Sequence, residues 1–233
     1  MWRSSPGRGP PRRLVGAATS RDHPRRFVYL RLLDRLLYRH PFEGGSARRY
    51  ARDERPAFGD LDERLLDRLA PLLHRARRLL DLGCGPGTFA AAAAARHPAL
   101  AVIAVDPSRD FARRGVVRAH GEALPFADRS MDVAVCLSSI RHVRDRPAAL
   151  RELRRVVRDR LVIVELDPAA ARARVAAHAD RLGSARLRRA FGPLVVRTAP
   201  PAAEIARLAE EAGFALARSE PDPRQPVYVM ELA

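Results

Sequence analysis

The stretch Leu79-Leu80-Asp81-Leu82-Gly83-Cys84-Gly85-Pro86-Gly87, followed by Thr88-Phe89 and six alanines from Ala90 to Ala95, decides the fold. A short apolar run enters a glycine-rich turn, and the turn enters a segment made of the best helix-forming residue. Such a strand–turn–helix unit opens a parallel α/β sheet, whose ligands sit beyond the carboxyl ends of the strands. Glycine is needed in the turn where φ is positive or where a Cβ would stand in the ligand's space. The spacing sets this turn apart from two phosphate-binding types. A dinucleotide loop reads G-x-G-x-x-G, whereas here Thr88 stands in the third glycine's place and Asp81 lies two residues before Gly83. A phosphate loop ends in Gly-Lys, and this chain contains no lysine.

Outward from this turn, short apolar runs alternate with helical patterns, the signature of βαβ units. Strands are expected at about 79–82, 101–105, 116–119, 131–137, 160–166, 214–218 and 226–232, and helices at about 87–97, 108–114, 147–157 and 201–212. Upstream, apolar residues at helical spacing predict helices over Phe27–Tyr38 and Leu61–His74, the second with Asp60 as its N-cap. The fold class is therefore α/β: a doubly wound, mostly parallel seven-stranded sheet with N-terminal helices and a helical insertion before the last strands. Residues 1–24 read as a flexible tail or as the product of a misassigned start codon, 25–77 as a helical cap, and 78–233 as the main domain. Within that domain 168–199 forms the insertion. Tyr50–Phe58 and 168–199 both lie outside the βαβ repeat and are expected to cover the site as a lid.

Four ordered motifs carry a family resemblance. Leu79–Gly87 resembles motif I of the class I methyltransferases. Val102-Ile103-Ala104-Val105-Asp106-Pro107 is similar to that family's second strand, which ends in an acidic residue. Gly121-Glu122-Ala123-Leu124-Pro125-Phe126 with Met131-Asp132-Val133 resembles the stretch before the fourth strand. Arg141-His142-Val143, then Leu150–Val156, is similar to the helix that follows. The resemblance covers about 78–167 closely and 200–232 loosely. It implies S-adenosylmethionine as cofactor, with contacts from Asp81, Gly83, Cys84, Gly85, Gly87, Asp106, Pro107, Gly121, Glu122, Ala123 and Ser138. In that scheme Asp106 takes the two ribose hydroxyls, a task suited to a carboxylate because it accepts two hydrogen bonds at once. The chain departs from the pattern at His120, where the family often has an acid for the adenine amino group.

Methyl transfer from a sulfonium asks the protein mainly to position, desolvate and deprotonate the nucleophile. At the carboxyl ends of the fourth and fifth strands the candidates are Ser138, Ser139, His142, Glu165 and Asp167. His142 is the expected general base, since an ordinary imidazole titrates near neutral pH. Tyr50, His142 and Glu165 are the expected acceptor-side residues, and no metal is expected. Ser138-Ser139-Ile140 stands where an Asn-Pro-Pro-aromatic segment would mark base or amide methylation. Cys136 follows Val135, so no Pro-Cys nucleophile is present. A small organic acceptor remains, methylated at oxygen, nitrogen or carbon. The alternative is an RNA or protein methyltransferase using an arginine-rich surface. A binding module without transfer and an aminopropyl transferase are the other readings of the same fold.

Composition bounds the rest. The 233 residues carry a formal net charge of +16, and all 43 basic residues are arginine. Arginine is spread along the chain and aromatics are only 6%. A nucleic-acid face would cluster its charge with interleaved aromatics, so the charge reads as coding bias and no specific nucleic acid is expected as partner. Two cysteines without a pairing framework and no long apolar span predict a cytoplasmic protein with no membrane crossing.

Overall fold

The computed structural model describes residues 43–111 and 115–233. The expected helix at 27–38 and the tail at 1–24 lie outside the described residues. Seven strands, β1 (Arg78–Leu82), β2 (Ala101–Val105), β3 (Val116–Val117), β4 (Met131–Leu137), β5 (Val157–Leu166), β6 (Leu216–Pro221) and β7 (Val227–Leu232), form one sheet. Its order is β3-β2-β1-β4-β5-β7-β6. The first five strands pair in parallel, and β7 enters antiparallel between β5 and β6. The helices are α1 (Gly45–Arg49), α2 (Leu61–Leu73), α3 (Thr88–Arg96), α4 (Arg146–Val156), α5 (Arg172–Asp180), α6 (Ala185–Ala190) and α7 (Ala202–Glu211).

The two sheet faces follow from the period of two along each strand. Leu79, Val133, Val135, Val162 and Val164 turn to one side and pack with Leu65, Leu66 and Leu69 of α2 and Phe89 of α3. Leu80, Ala134, Cys136, Leu161 and Ile163 turn to the other, against Leu150 and Leu153 of α4 and Ile205 of α7. Both faces being covered, the central strands read as nearly continuous apolar runs.

Three element boundaries differ from expectation. β5 starts at Val157, directly after the last residue of α4 and three residues before the expected start at 160. Arg158 lies in the strand because its guanidinium reaches Asp132, donating from Nη1 to Oδ1 at 2.9 Å. β6 lies at 216–221 rather than 214–218: Phe214 is drawn under α7, its N–H donating to the Ala209 carbonyl at 3.0 Å. β3 has only two residues, as an edge strand with partial burial. Of the helix expected at 108–114, Ser108–Phe111 make a turn and 112–114 lie outside the described residues. Asp60 occupies the N-cap position of α2 without a capping bond, because its carboxylate is spent on Arg64 and Arg224. Asp145 does cap α4, accepting from the Ala148 N–H at 2.9 Å.

The cap continues from α1 through a π turn, Tyr50–Glu54, and a 3-10 turn, Arg55–Phe58, into α2. The insertion is α5, α6 and a second π turn, Phe191–Val196. The two meet at a seam. Gln225, from the β6–β7 turn, donates through Nε2 to the Phe58 carbonyl at 2.7 Å and accepts through Oε1 from Arg181 at 3.0 Å. His178 Nδ1 lies 2.9 Å from the same oxygen, and its ring stacks on Phe191 with centroids 4.5 Å apart. Among the described residues no helix is long and apolar enough to cross a membrane.

Candidate active site

The three loop glycines have positive φ, 73° at Gly83, 52° at Gly85 and 72° at Gly87, but they serve different purposes. A Cβ on Gly83 would stand 2.4 Å from Cβ of Ser139, so this glycine lets the turn after β4 dock on the loop. Ser139 fastens that contact, donating from Oγ to the Leu82 carbonyl at 2.7 Å. At Gly85 the nearest atoms are ring carbons of Tyr50 and Phe111, 3.7 and 3.8 Å from where a Cβ would be. Gly87 forms the N-cap of α3. Cys84 is buried with its sulfur 3.7 Å from the Gly85 carbonyl oxygen.

Two carboxylates flank the loop. Asp106 accepts from the Gly85 N–H through Oδ2 and from the Ser108 N–H through Oδ1, each at 2.8 Å. Burial pushes its carboxyl up, and those two N–H groups oppose the rise. Each of its oxygens keeps capacity for another donor. Asp81 is only 2% exposed, and its Oδ2 has no hydrogen-bond partner. Burial pushes its carboxyl up to about 7, with Asp62 and then Asp106 adding to the rise and Arg55 and the Ala90 N–H opposing it. Beside it, Arg55 donates to Asp62 at 2.5 Å, and Thr88 Oγ1 donates to the other Asp62 oxygen at 3.1 Å. A buried acceptor left unpaired costs about 1–3 kcal/mol. The orphaned Asp81 oxygen and the second lone pairs of Asp106 fit a ligand that carries an ammonium and hydroxyl donors, as S-adenosylmethionine does.

The other expected contacts divide. Pro107 is exposed next to Asp106. Gly121 is buried against Ala149 and Leu82, where a Cβ would meet each at 3.4 Å, so its small size serves the approach of α4. Glu122 accepts through Oε1 from the N–H groups of Arg144 and Asp145, both at 3.1 Å, and braces the turn before α4. Ala123 is exposed and donates its N–H to the His120 carbonyl at 3.1 Å; the His120 side chain is exposed. Ser138 takes φ 51° and its buried Oγ has no partner.

At the strand ends, His142 closes a 3-10 turn, Ile140–His142. Burial, with help from the Arg141 and Arg146 charges, holds its imidazole well below the usual range. Glu165 is fully buried and accepts from the Leu166 N–H at 2.8 Å and the Arg141 N–H at 3.2 Å; burial pushes its carboxyl up. Burial likewise raises the Tyr50 phenol to about 12, where the charges of Arg55, Glu54, Glu165 and Asp62 all reach it. Asp167 accepts from the Ala169 N–H at 2.8 Å and shapes its own turn. Arg55, Asp62 and Thr88 were not expected at the site. An acid in the first turn of a helix reads as dipole compensation, and nothing in the sequence marks Asp62 as more.

A methyltransferase domain family model matches residues 49–219. Over 143 residues the chain is 29% identical to a malonyl-[acyl-carrier protein] O-methyltransferase of Geobacter sulfurreducens, covering 55% of this chain and 51% of that one. Over 148 residues it is 33% identical to the ubiquinone/menaquinone biosynthesis C-methyltransferase UbiE of Syntrophotalea carbinolica, covering 50% and 62%. The chain spans about half the length of the curated relatives it matches. In fold it is similar to a SAM-dependent methyltransferase from Aquifex aeolicus, with a TM-score of 0.59 at 15% identity over 77% of this chain and 92% of that one. A second similar structure, the S-adenosylmethionine-dependent methyltransferase from Mesorhizobium loti, gives 0.53 at 18% identity over 76% and 99%. With motif I, the strand-end Asp106 and a seven-stranded sheet ending in an inserted antiparallel strand, the chain belongs to the methyltransferase domain family, as a class I member whose cofactor is S-adenosylmethionine.

Proposed function

We propose that this chain transfers a methyl group from S-adenosylmethionine to a small organic acceptor at oxygen, nitrogen or carbon. The observation that carries this reading is the roof over the loop: the Tyr50 ring lies 3.7 Å from the position of a Gly85 Cβ. A covered site suits a small acceptor that is enclosed and desolvated. When bound, the cofactor supplies a methyl group already activated by a sulfonium. Asp106 then offers its remaining lone pairs to the ribose hydroxyls, and the unpaired Asp81 oxygen takes the cationic end. Gly85 and Gly87 leave room for close backbone approach, with Cys84, Pro107 and Ser138 at its margins. Gly83 holds the loop against Ser139, and Gly121, Glu122 and Ala123 support the floor from the α4 side. On the acceptor side Tyr50 and Glu165 position the nucleophile. His142, kept neutral by burial, takes its proton where it has one. The cap and the insertion act together as the lid. A cytoplasmic setting accords with these roles.

Asp106→Ala is expected to weaken cofactor binding by roughly 1.5–3 kcal/mol, the scale of a hydrogen bond to a charged group. An unchanged affinity in calorimetry overturns the site assignment. A second reading, transfer to RNA or protein, is favoured by one observation: the seven arginines within 168–199 make no ion pair among the described residues. Incubating the protein with methyl-labelled cofactor and a cell extract separates the two. Label in the small-molecule fraction supports the first reading, and label retained on macromolecules supports the second.

A further inference from the structure

Between the two lid segments lies a groove of about 320 Å³, lined by Arg49, Asp53 and Glu54 from the cap and by Arg186, Leu187 and Ala190 from the insertion. That volume is at the lower end of small-ligand sites. The groove is closed at its base by backbone: the Gly183 N–H donates to the Asp53 carbonyl at 3.3 Å. A Cβ on Gly183 would come within 3.0 Å of the Asp53 Cβ, so a side chain there would push the segments apart.

The charges in the groove are unevenly matched. Asp53 is held by Arg52, which donates to it through Nε and Nη2 at 2.6 and 2.8 Å. Glu54 is partly buried, burial pushes its carboxyl up, and Arg49 is the nearest opposing charge. Among the described residues Glu54 makes no hydrogen bond or ion pair, and neither Arg49 nor Arg186 makes an ion pair. Leu187 and Ala190 add an apolar wall. Glu54 also lies close enough to the Tyr50 phenol to raise it, as Glu165 does from the end of β5.

A half-buried carboxylate without a hydrogen bond and two exposed guanidiniums without ion pairs, beside an apolar wall, suit a small molecule that carries both charges. A simple anion would meet the Glu54 charge, and a simple cation would meet Arg49 and Arg186. Desolvating any of these groups without a counter-charge costs binding energy. We infer that the groove binds a small zwitterion, with its ammonium on Glu54, its carboxylate between Arg49 and Arg186, and its apolar body against Leu187 and Ala190. The inference goes beyond the methyltransferase reading and specifies a ligand class for the groove between cap and insertion: a compound with the amino and carboxylate groups of an amino acid.

The test uses the full chain saturated with S-adenosylhomocysteine, whose own binding is measured first. Phenylalanine, N-acetylphenylalanine and phenylalanine amide are then titrated as zwitterion, anion and cation. Phenylalanine is expected to bind roughly tenfold or more tightly than either derivative. Glu54→Gln should remove its advantage over the N-acetyl form, and Arg186→Gln its advantage over the amide, while both variants keep their affinity for S-adenosylhomocysteine. Equal affinities, no binding of phenylalanine, or variants that leave the ranking unchanged overturn the zwitterion site. If S-adenosylhomocysteine itself does not bind, the methyltransferase reading fails instead.

Discussion

The turn after β1 and the seam between cap and insertion are held by different kinds of contact. The turn relies on close packing and backbone donors: Gly83 against Ser139, and the Gly85 N–H on Asp106. The seam sets long polar side chains among buried apolar ones: Gln225 joins Phe58, Arg181 and His178, Asp222 gathers Arg64 and two backbone N–H groups, and Leu182 and Phe191 are buried in the same core. Close packing fails abruptly when a methyl group is added, because interiors cannot flow around it. A polar seam loses its bonds one at a time. The loop should therefore respond all at once to an added methyl group, and the seam step by step to the loss of each polar bond.

The largest effect should come from Gly83→Ala. Its Cβ would collide with Ser139, an over-packing cost of roughly 1–3 kcal/mol, and the left-handed φ adds about 1–2 kcal/mol. Gly85→Ala bears only the second cost, yet should lose cofactor affinity more severely than its stability loss suggests. Urea unfolding alongside cofactor titration compares the two, and equal stability losses would remove the distinction between a docking glycine and a ligand-facing one.

A middle effect is expected at the seam. Gln225 is 1% exposed, and Gln225→Ala should cost about 1–3 kcal/mol by leaving its partners unpaired. The loss should appear as faster hydrogen exchange in 172–196 with the loop at 83–87 unaffected. Equal acceleration in both would mean that lid and loop open as one unit.

The smallest effect is a contrast in sign with pH. Burial lowers His178 to about 4, although Gln225 partly opposes this. The unfolded chain takes up a proton near pH 6.5 and the folded seam does not, so seam stability is complete above that value and declines as pH falls towards 4. Asp222, whose carboxyl sits below the ordinary range because of Arg64 and backbone N–H groups that outweigh its burial, adds a further loss in stronger acid. Asp81 behaves oppositely. Its folded value of about 7 lies above the unfolded carboxylate, so its contribution is complete in acid and declines as pH rises through 7. Lowering the pH from 7 to 5 should loosen the lid while firming the empty loop, as read by limited proteolysis of each segment. Loosening of both regions together would refute the assignment.

The same contrast marks what could be read from the sequence. Leu79–Gly87 and Val102–Asp106 announce a strand, a turn and an acid locally, so the parallel half of the sheet and the loop were legible. The roles of Gly83 and Gly121 were not, because both answer to partners far along the chain, Ser139 and Ala149. Glu122, expected as a cofactor contact, also accepts from the N–H groups of Arg144 and Asp145, a bracing role that nothing in the sequence marks. The seam was the least legible part. Gln225, Asp222 and His178 are ordinary surface residue types, and only the folded chain puts them within reach of Phe58, Arg64 and Phe191. Arg158 illustrates the same point for a boundary, where a partner distant in sequence, Asp132, meets a polar residue ahead of the expected strand.

The place of β7 bears on how the chain is made. Its partner β5 ends at Leu166, and the pairing residues of β7 reach to Leu232. At roughly 5–20 residues per second, several seconds of synthesis separate the two. Through that interval β5, with the run Leu161-Val162-Ile163-Val164, waits as an uncovered edge, the kind of strand that recruits neighbouring chains. The turn carrying Asp222 and Gln225 emerges in the same late stretch. Newly made chains thus pass through a window in which the loop half has its sequence complete, the insertion has nothing to fasten to, and β5 is open to neighbouring chains.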